Sequence, residues 1–153
     1  MAKRVFFSFH YNRDAWRVSQ IRNSHIVTQK YEKSPFLDKA GWETIKRQGE
    51  TAVRAWIDRQ LNGSGVTIVL IGRETSNRPF VKYEIERSVE SGKGLLGIRI
   101  HSMLDQSGSR DLPGDNPFKK LGLIDISVYD WISDAGRQNI SFWIEAAANQ
   151  VGR

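Results

Sequence analysis

Six consecutive residues, Val66-Thr67-Ile68-Val69-Leu70-Ile71, are all β-branched or aliphatic. A short run of this kind, followed by a polar turn and then a helical pattern, reads as a strand feeding a helix. The helix is carried by Ser76-Asn77-Arg78-Pro79-Phe80-Val81-Lys82-Tyr83-Glu84-Ile85. Ser76 or Asn77 can cap it, and Pro79 suits its first turn, where a missing N–H costs little. At about 100° per residue, Val81, Ile85 and Val89 share the face expected to pack on a sheet. Phe80 and Glu84, four apart, are placed together at the border of that face. A buried strand joined to a helix with one apolar face demands a layered α/β arrangement.

The rest of the chain repeats the alternation. Arg4 to His10 reads as a first strand, apolar on both faces through Val5-Phe6-Phe7-Ser8-Phe9, as a central strand should be. A short helix is expected from Asp14 to about Arg22. Between Asn23 and Ala40 two stretches compete for the next strand, His25-Ile26-Val27-Thr28 and Ser34-Pro35-Phe36-Leu37-Asp38. Val53, Trp56, Ile57 and Leu61 fall at helical spacing before Asn62-Gly63. Leu95 to Ile100 is a further strand, and Ser102 to Pro117 a long loop suited to a lid or a mobile segment. Ile124 to Tyr129 can hold a last short strand. A final helix, about Gln138 to Val151, carries Ile140, Trp143, Ile144, Ala147 and Val151 on one stripe. The expectation is one α/β domain over residues 1–153, a doubly wound parallel sheet of about five strands in flavodoxin-like order.

Composition narrows the function. The chain has 153 residues with 39% hydrophobic and 26% charged, which is globular rather than disordered. No apolar run approaches the ~20 residues of a bilayer span, and the N-terminus carries no signal-peptide pattern. Cysteine is absent, which excludes disulfides and thiolate chemistry. A cytoplasmic protein with no membrane partner is expected. The net charge of +6 raises nucleic acid as a partner. Against it, the cations are scattered singly or in pairs, with no stripe interleaved with aromatics. A basic surface also suits a small phosphorylated anion.

Open parallel sheets bind ligands beyond the carboxyl ends of their strands, where the strand order reverses. That rule gathers Ser8, Phe9, His10 and Tyr11 from the first strand, and Asp38 and then Trp42 from the second. From the third it gathers Arg73 and the helix bearing Phe80 and Glu84. Exposed rings at this edge would stack on a planar group, and Arg73 would hold phosphate. Glu84 is the expected catalytic group. The three histidines lack ligand spacing, so no metal is expected. There is no Gly-x-Gly-x-x-Gly turn and no Walker lysine loop, which removes ordinary dinucleotide dehydrogenases and phosphate-loop enzymes.

Arg4-Val5-Phe6-Phe7-Ser8-Phe9 resembles the first-strand box of Toll/interleukin-1 receptor (TIR) domains. Arg78 to Ile85 is similar to their Trp-Cys-x-x-Glu-Leu motif, with Phe80 for the Trp and Val81 for the Cys. Together with Val69-Leu70-Ile71-Gly72 and Tyr129-Asp130-Trp131, the chain looks most like the TIR-like subunit of the bacterial Thoeris antiphage system. The resemblance implies a flavodoxin-like fold and cleavage of NAD, as substrate rather than cofactor, at the nicotinamide–ribose bond. It implies a cyclic ADP-ribose-type product that activates a separate effector protein, and it leaves a homo-oligomer open. The motif glutamate falls on Glu84 and the motif aromatic on Phe80, with Ser8, Phe9 and His10 bordering the ligand. The family's Arg-Asp-x-x-Pro-Gly loop belongs after the second strand. Here Arg110-Asp111-Leu112-Pro113-Gly114 comes after Leu95–Ile100, too late to match.

One carboxylate suffices for such chemistry, because nicotinamide leaves neutral and needs no proton. What needs stabilising is positive charge on the ribose. Two other readings stay open: a non-catalytic TIR-type adaptor, and a nucleoside or nucleotide N-glycoside transferase.

Overall fold

The computed structural model describes residues 3–34 and 39–152. Three six-residue strands form its centre: β1 (Lys3–Ser8), β3 (Val66–Ile71) and β4 (Gly94–Arg99). Two three-residue strands, β2 (Tyr31–Lys33) and β5 (Val128–Asp130), lie at the edges. All pairings are parallel, in the order β2-β1-β3-β4-β5. That is the expected flavodoxin-like order, with its reversal between β1 and β3. In register, Ser8 stands beside Val69, so the first two residues after β1 emerge next to the end of β3.

Helices cover both faces, as a parallel sheet requires. Helix α5 (Pro79–Glu90) packs on β3 and β4 and against α4 (Glu50–Asn62). Because side chains alternate along a strand, Val69 and Ile71 meet Val81, Ile85 and Phe118 on that side. Ile68, Leu70 and Ile98 belong with Ile140, Trp143 and Ile144 of α7 (Gly136–Gln150). Helix α1 (Ala15–Arg22) buries Val18 and Ile21 in the same core, α3 (Lys39–Lys46) brings Trp42 against Tyr11 just after β1, and α6 (Pro117–Lys120) is a single turn.

The second strand corrects the first of the two sequence expectations. His25–Lys30 is a helix, α2, and the strand is the Tyr31–Lys33 stretch after it. The Thr28 N–H donates to the Ser24 carbonyl at 2.9 Å, so the β-branched run is wound from its first turn. Tyr31 then locks the strand: its hydroxyl lies 2.9 Å from both Ser141 Oγ and Glu145 Oε2 on α7. Tertiary contacts outweigh β propensity here. The alternative at Ser34–Asp38 lies outside the described residues except for Ser34, and Asp38 lies outside them altogether.

A second correction concerns α5. Val89 is 48% exposed, and the buried stripe is Val81, Glu84, Ile85 and Ser88. Glu84 is thus central to the packed face instead of at its border. The long loop is tethered as well. Arg17 Nε donates to the Met103 carbonyl at 2.8 Å, Arg99 to that of Gly114 at 2.7 Å, and Arg13 pairs with Asp111 at 2.6 Å. Among the described residues no helix is long and apolar enough to cross a membrane.

Candidate active site

The end of β1 and the start of α5 meet at the strand-order reversal. Ser8, the last residue of β1, donates its hydroxyl to Glu84 Oε1 at 2.8 Å, with both side chains fully buried. The second oxygen, Oε2, is buried and has no hydrogen-bond partner. An unpaired carboxylate oxygen away from water is expensive, so the carboxyl holds its proton. Burial pushes the Glu84 pKa up to about 8, against the smaller opposing pulls of Ser8 and Tyr11. The second-turn position near the positive end of α5 does not prevent this, because the dipole acts weakly compared with desolvation.

Beside this carboxyl the chain assembles an aromatic cluster. Tyr11 stacks on Trp42 of α3 with ring centres 4.4 Å apart, and Phe9 tilts against Tyr11 at 4.2 Å. Phe80 and Trp56 meet Trp42 edge-on at 5.7 and 6.4 Å. Phe9, Tyr11, Trp42 and Phe80 border a hollow of about 180 Å³ at the carboxyl end of the sheet. Its wall comprises Phe9, His10, Tyr11 and Asn12 after β1, Trp42 and Lys46 of α3, and Arg78 to Val81 at the start of α5. His10 is half-buried, and burial with the neighbouring Arg78 charge lowers its pKa. Its imidazole is therefore neutral near pH 7.

The structure brings Ser8, Phe9, His10, Tyr11, Trp42, Phe80 and Glu84 together. Glu84 does not line the hollow; it lies behind the wall, coupled to Tyr11 and four residues on from Phe80. Arg73 is not brought there. It is 52% exposed and 3.9 Å from Asp111, turned toward the tethered loop. Sequence reasoning passed over Asn12, Lys46 and Arg78. The signal for Arg78 was its position just before Pro79, which makes it the N-cap of α5. Among the described residues no three His, Cys, Asp or Glu side chains are grouped to hold a metal ion.

The family model described as "Thoeris protein ThsB, TIR-like domain" matches residues 6–105. The chain belongs to this ThsB TIR-like family. A ThsB relative from Bacillus cereus (strain MSX-D12) is 38% identical over 144 residues, 94% of this chain and 72% of the relative. That protein is named "Putative cyclic ADP-D-ribose synthase ThsB1". The span matched by the ThsB TIR-like domain runs from β1 through β4. It therefore takes in Ser8, the rings and Glu84.

Proposed function

We propose that this protein cleaves NAD at the nicotinamide–ribose bond and joins the freed ribose carbon to a second position on the same molecule. The observation that carries the reading is Glu84: a fully buried carboxyl, one oxygen held by Ser8 and the other unpartnered, behind the wall of an aromatic hollow. The name of the Bacillus cereus relative supports the same reaction and a cyclic ADP-ribose-type product. Such a product would act as a messenger on a separate effector protein in antiphage defence.

The chemistry follows from the charges. When the C1′–N bond of the nicotinamide riboside breaks, its electron pair goes to the ring nitrogen and nicotinamide departs uncharged. Positive charge passes to C1′ of the ribose, and an ionised Glu84 would stabilise it. Burial alone keeps the carboxyl protonated. A bound nicotinamide carries a positive charge, which favours loss of that proton when it approaches. Ser8 fixes one oxygen, leaving Oε2 as the atom to face the sugar. The rings would flank the planar base and exclude water, so that capture within the molecule competes with hydrolysis.

Access needs movement. The hollow, at about 180 Å³, is smaller than the ~300 Å³ at which sites for ligands of ordinary size begin. Productive binding therefore displaces Tyr11, Trp42 or Phe80 to uncover Glu84. Glu84→Gln keeps the shape and removes the charge, and nicotinamide release from NAD is expected to fall ~10²-fold or more. Mass spectrometry of nicotinamide and cyclic product, on phage-challenged cells and on purified protein, checks this. A folded Glu84→Gln protein with wild-type turnover would sink the assignment. Turnover of deoxynucleosides but not NAD would favour the N-glycoside transferase, and partner binding without any turnover the adaptor.

A further inference from the structure

The cations at the carboxyl end of the sheet are unequally committed. Arg13 is engaged by Asp111 at 2.6 Å and Glu74 at 3.0 Å, and Arg73 lies beside Asp111. Arg78 lines the hollow, yet its Nε is buried with no partner. A guanidinium N–H out of water and unsatisfied is costly unless something else fills the valence. Lys46 lines the same hollow from α3, with the half-buried Glu43 carboxylate 3.6 Å away. Between the two cations begins α5, a twelve-residue helix whose N-terminus no side chain caps. Its first residues, Pro79, Phe80 and Val81, line the hollow too. Unpaired amides at a helix start favour anions. A second buried polar atom without a partner, Glu84 Oε2, lies behind the same wall.

We infer that Arg78, assisted by Lys46 and the leading amides of α5, is the diphosphate-binding residue of this site. The inference rests on the dinucleotide reading above and refines it: the phosphate contact passes from Arg73 to Arg78. Arg78 and Glu84 are six residues apart on one helix, about 9 Å along its axis. A diphosphate held at Arg78 therefore sets the adjoining ribose deeper, level with the carboxyl. The planar guanidinium can grip two phosphate oxygens at once, which an ammonium cannot.

The test measures binding of ADP, inorganic pyrophosphate and adenosine by titration calorimetry, with nicotinamide release from NAD measured in parallel. Wild type, Arg78→Gln, Arg78→Lys, Lys46→Gln and Arg73→Gln proteins are compared, with folding checked by circular dichroism. Wild type is expected to bind ADP and pyrophosphate more tightly than adenosine. Arg78→Gln should weaken ADP about 10- to 100-fold, the size of one lost charge-assisted hydrogen bond. Arg78→Lys should recover part of that loss, Lys46→Gln should weaken ADP less, and Arg73→Gln should leave ADP binding within about twofold of wild type, since Arg73 is turned toward Asp111 and away from the hollow. Equal ADP affinity in wild type and Arg78→Gln, or no binding of either phosphate probe to wild type, overturns the assignment. Arg78-dependent ADP binding without NAD cleavage would keep the phosphate site and remove the cleavage reading. NAD cleavage with Arg78-independent ADP binding would do the reverse.

Discussion

At the scale of single residues, Glu84 is a stability liability with a definite sign. Its pKa rises from the ordinary 4.5 to about 8 in the folded chain because burial disfavours the charged form. Below about pH 4.5 both folded and unfolded chains carry the proton, and the group has no effect on the balance. As pH climbs toward 8 the unfolded chain gives up its proton while the folded chain keeps it, and native stability falls. Above 8 the loss is complete, on the order of a few kcal/mol for one fully buried carboxyl. Glu84→Gln removes this titration. The mutant is therefore expected to melt several degrees higher than wild type at pH 8, with the gap shrinking toward pH 5. Paired thermal melts across that range check it, and a gap that does not change with pH would contradict the burial argument. Asp14, also buried, has a pKa raised to about 6 and the same sign over a lower window. Its effect is common to both proteins and cancels in the difference.

At the scale of elements, close packing between α7 and the sheet sets the strictest demand. A Cβ on Gly94, the first residue of β4, would sit 2.7 Å from the Ala147 carbonyl oxygen. That neighbour is helix backbone and cannot swing aside. Gly94→Ala should cost ~1–3 kcal/mol by forcing α7 off the strand, read as a lower urea midpoint. The central strands were legible because residues 5–8, 66–71 and 94–98 are continuous buried runs with no solvent face for polar residues to mark. The second strand was not. Tyr31-Glu32-Lys33 has no apolar pattern of its own and becomes a strand only through pairing with Lys3 to Val5. For the site, the strand-end rule correctly gathered Ser8, the rings and Glu84 at one edge. It misplaced Arg73 because the chain turns sharply through Thr75–Asn77 after β3. Arg73, ahead of that turn, lies beside Asp111, and Arg78, just after it, lines the hollow. Phe80-to-Glu84 spacing showed the pair would be neighbours, but whether the carboxyl faced water or core depended on how α5 is rotated, which Val89 misrepresented.

At the scale of the whole molecule, the net charge of +6 is spread over a surface on which many cations are already paired, such as Arg87 with Asp58 and Glu90, and Lys3 with Glu145. What distinguishes the carboxyl end of the sheet is a concentration of rings with Arg78 and Lys46 beside them and, among the described residues, no acidic one in the lining of the hollow. The two outermost strands carry a further consequence. Each is three residues long, and Glu32, Lys33 and Asp130 place formal charges on them. Brief, charged borders give a visiting backbone almost nothing to zip onto. Copies of this protein that gather in a cell must therefore hold one another by side chains on helices and loops, leaving each sheet a closed ribbon.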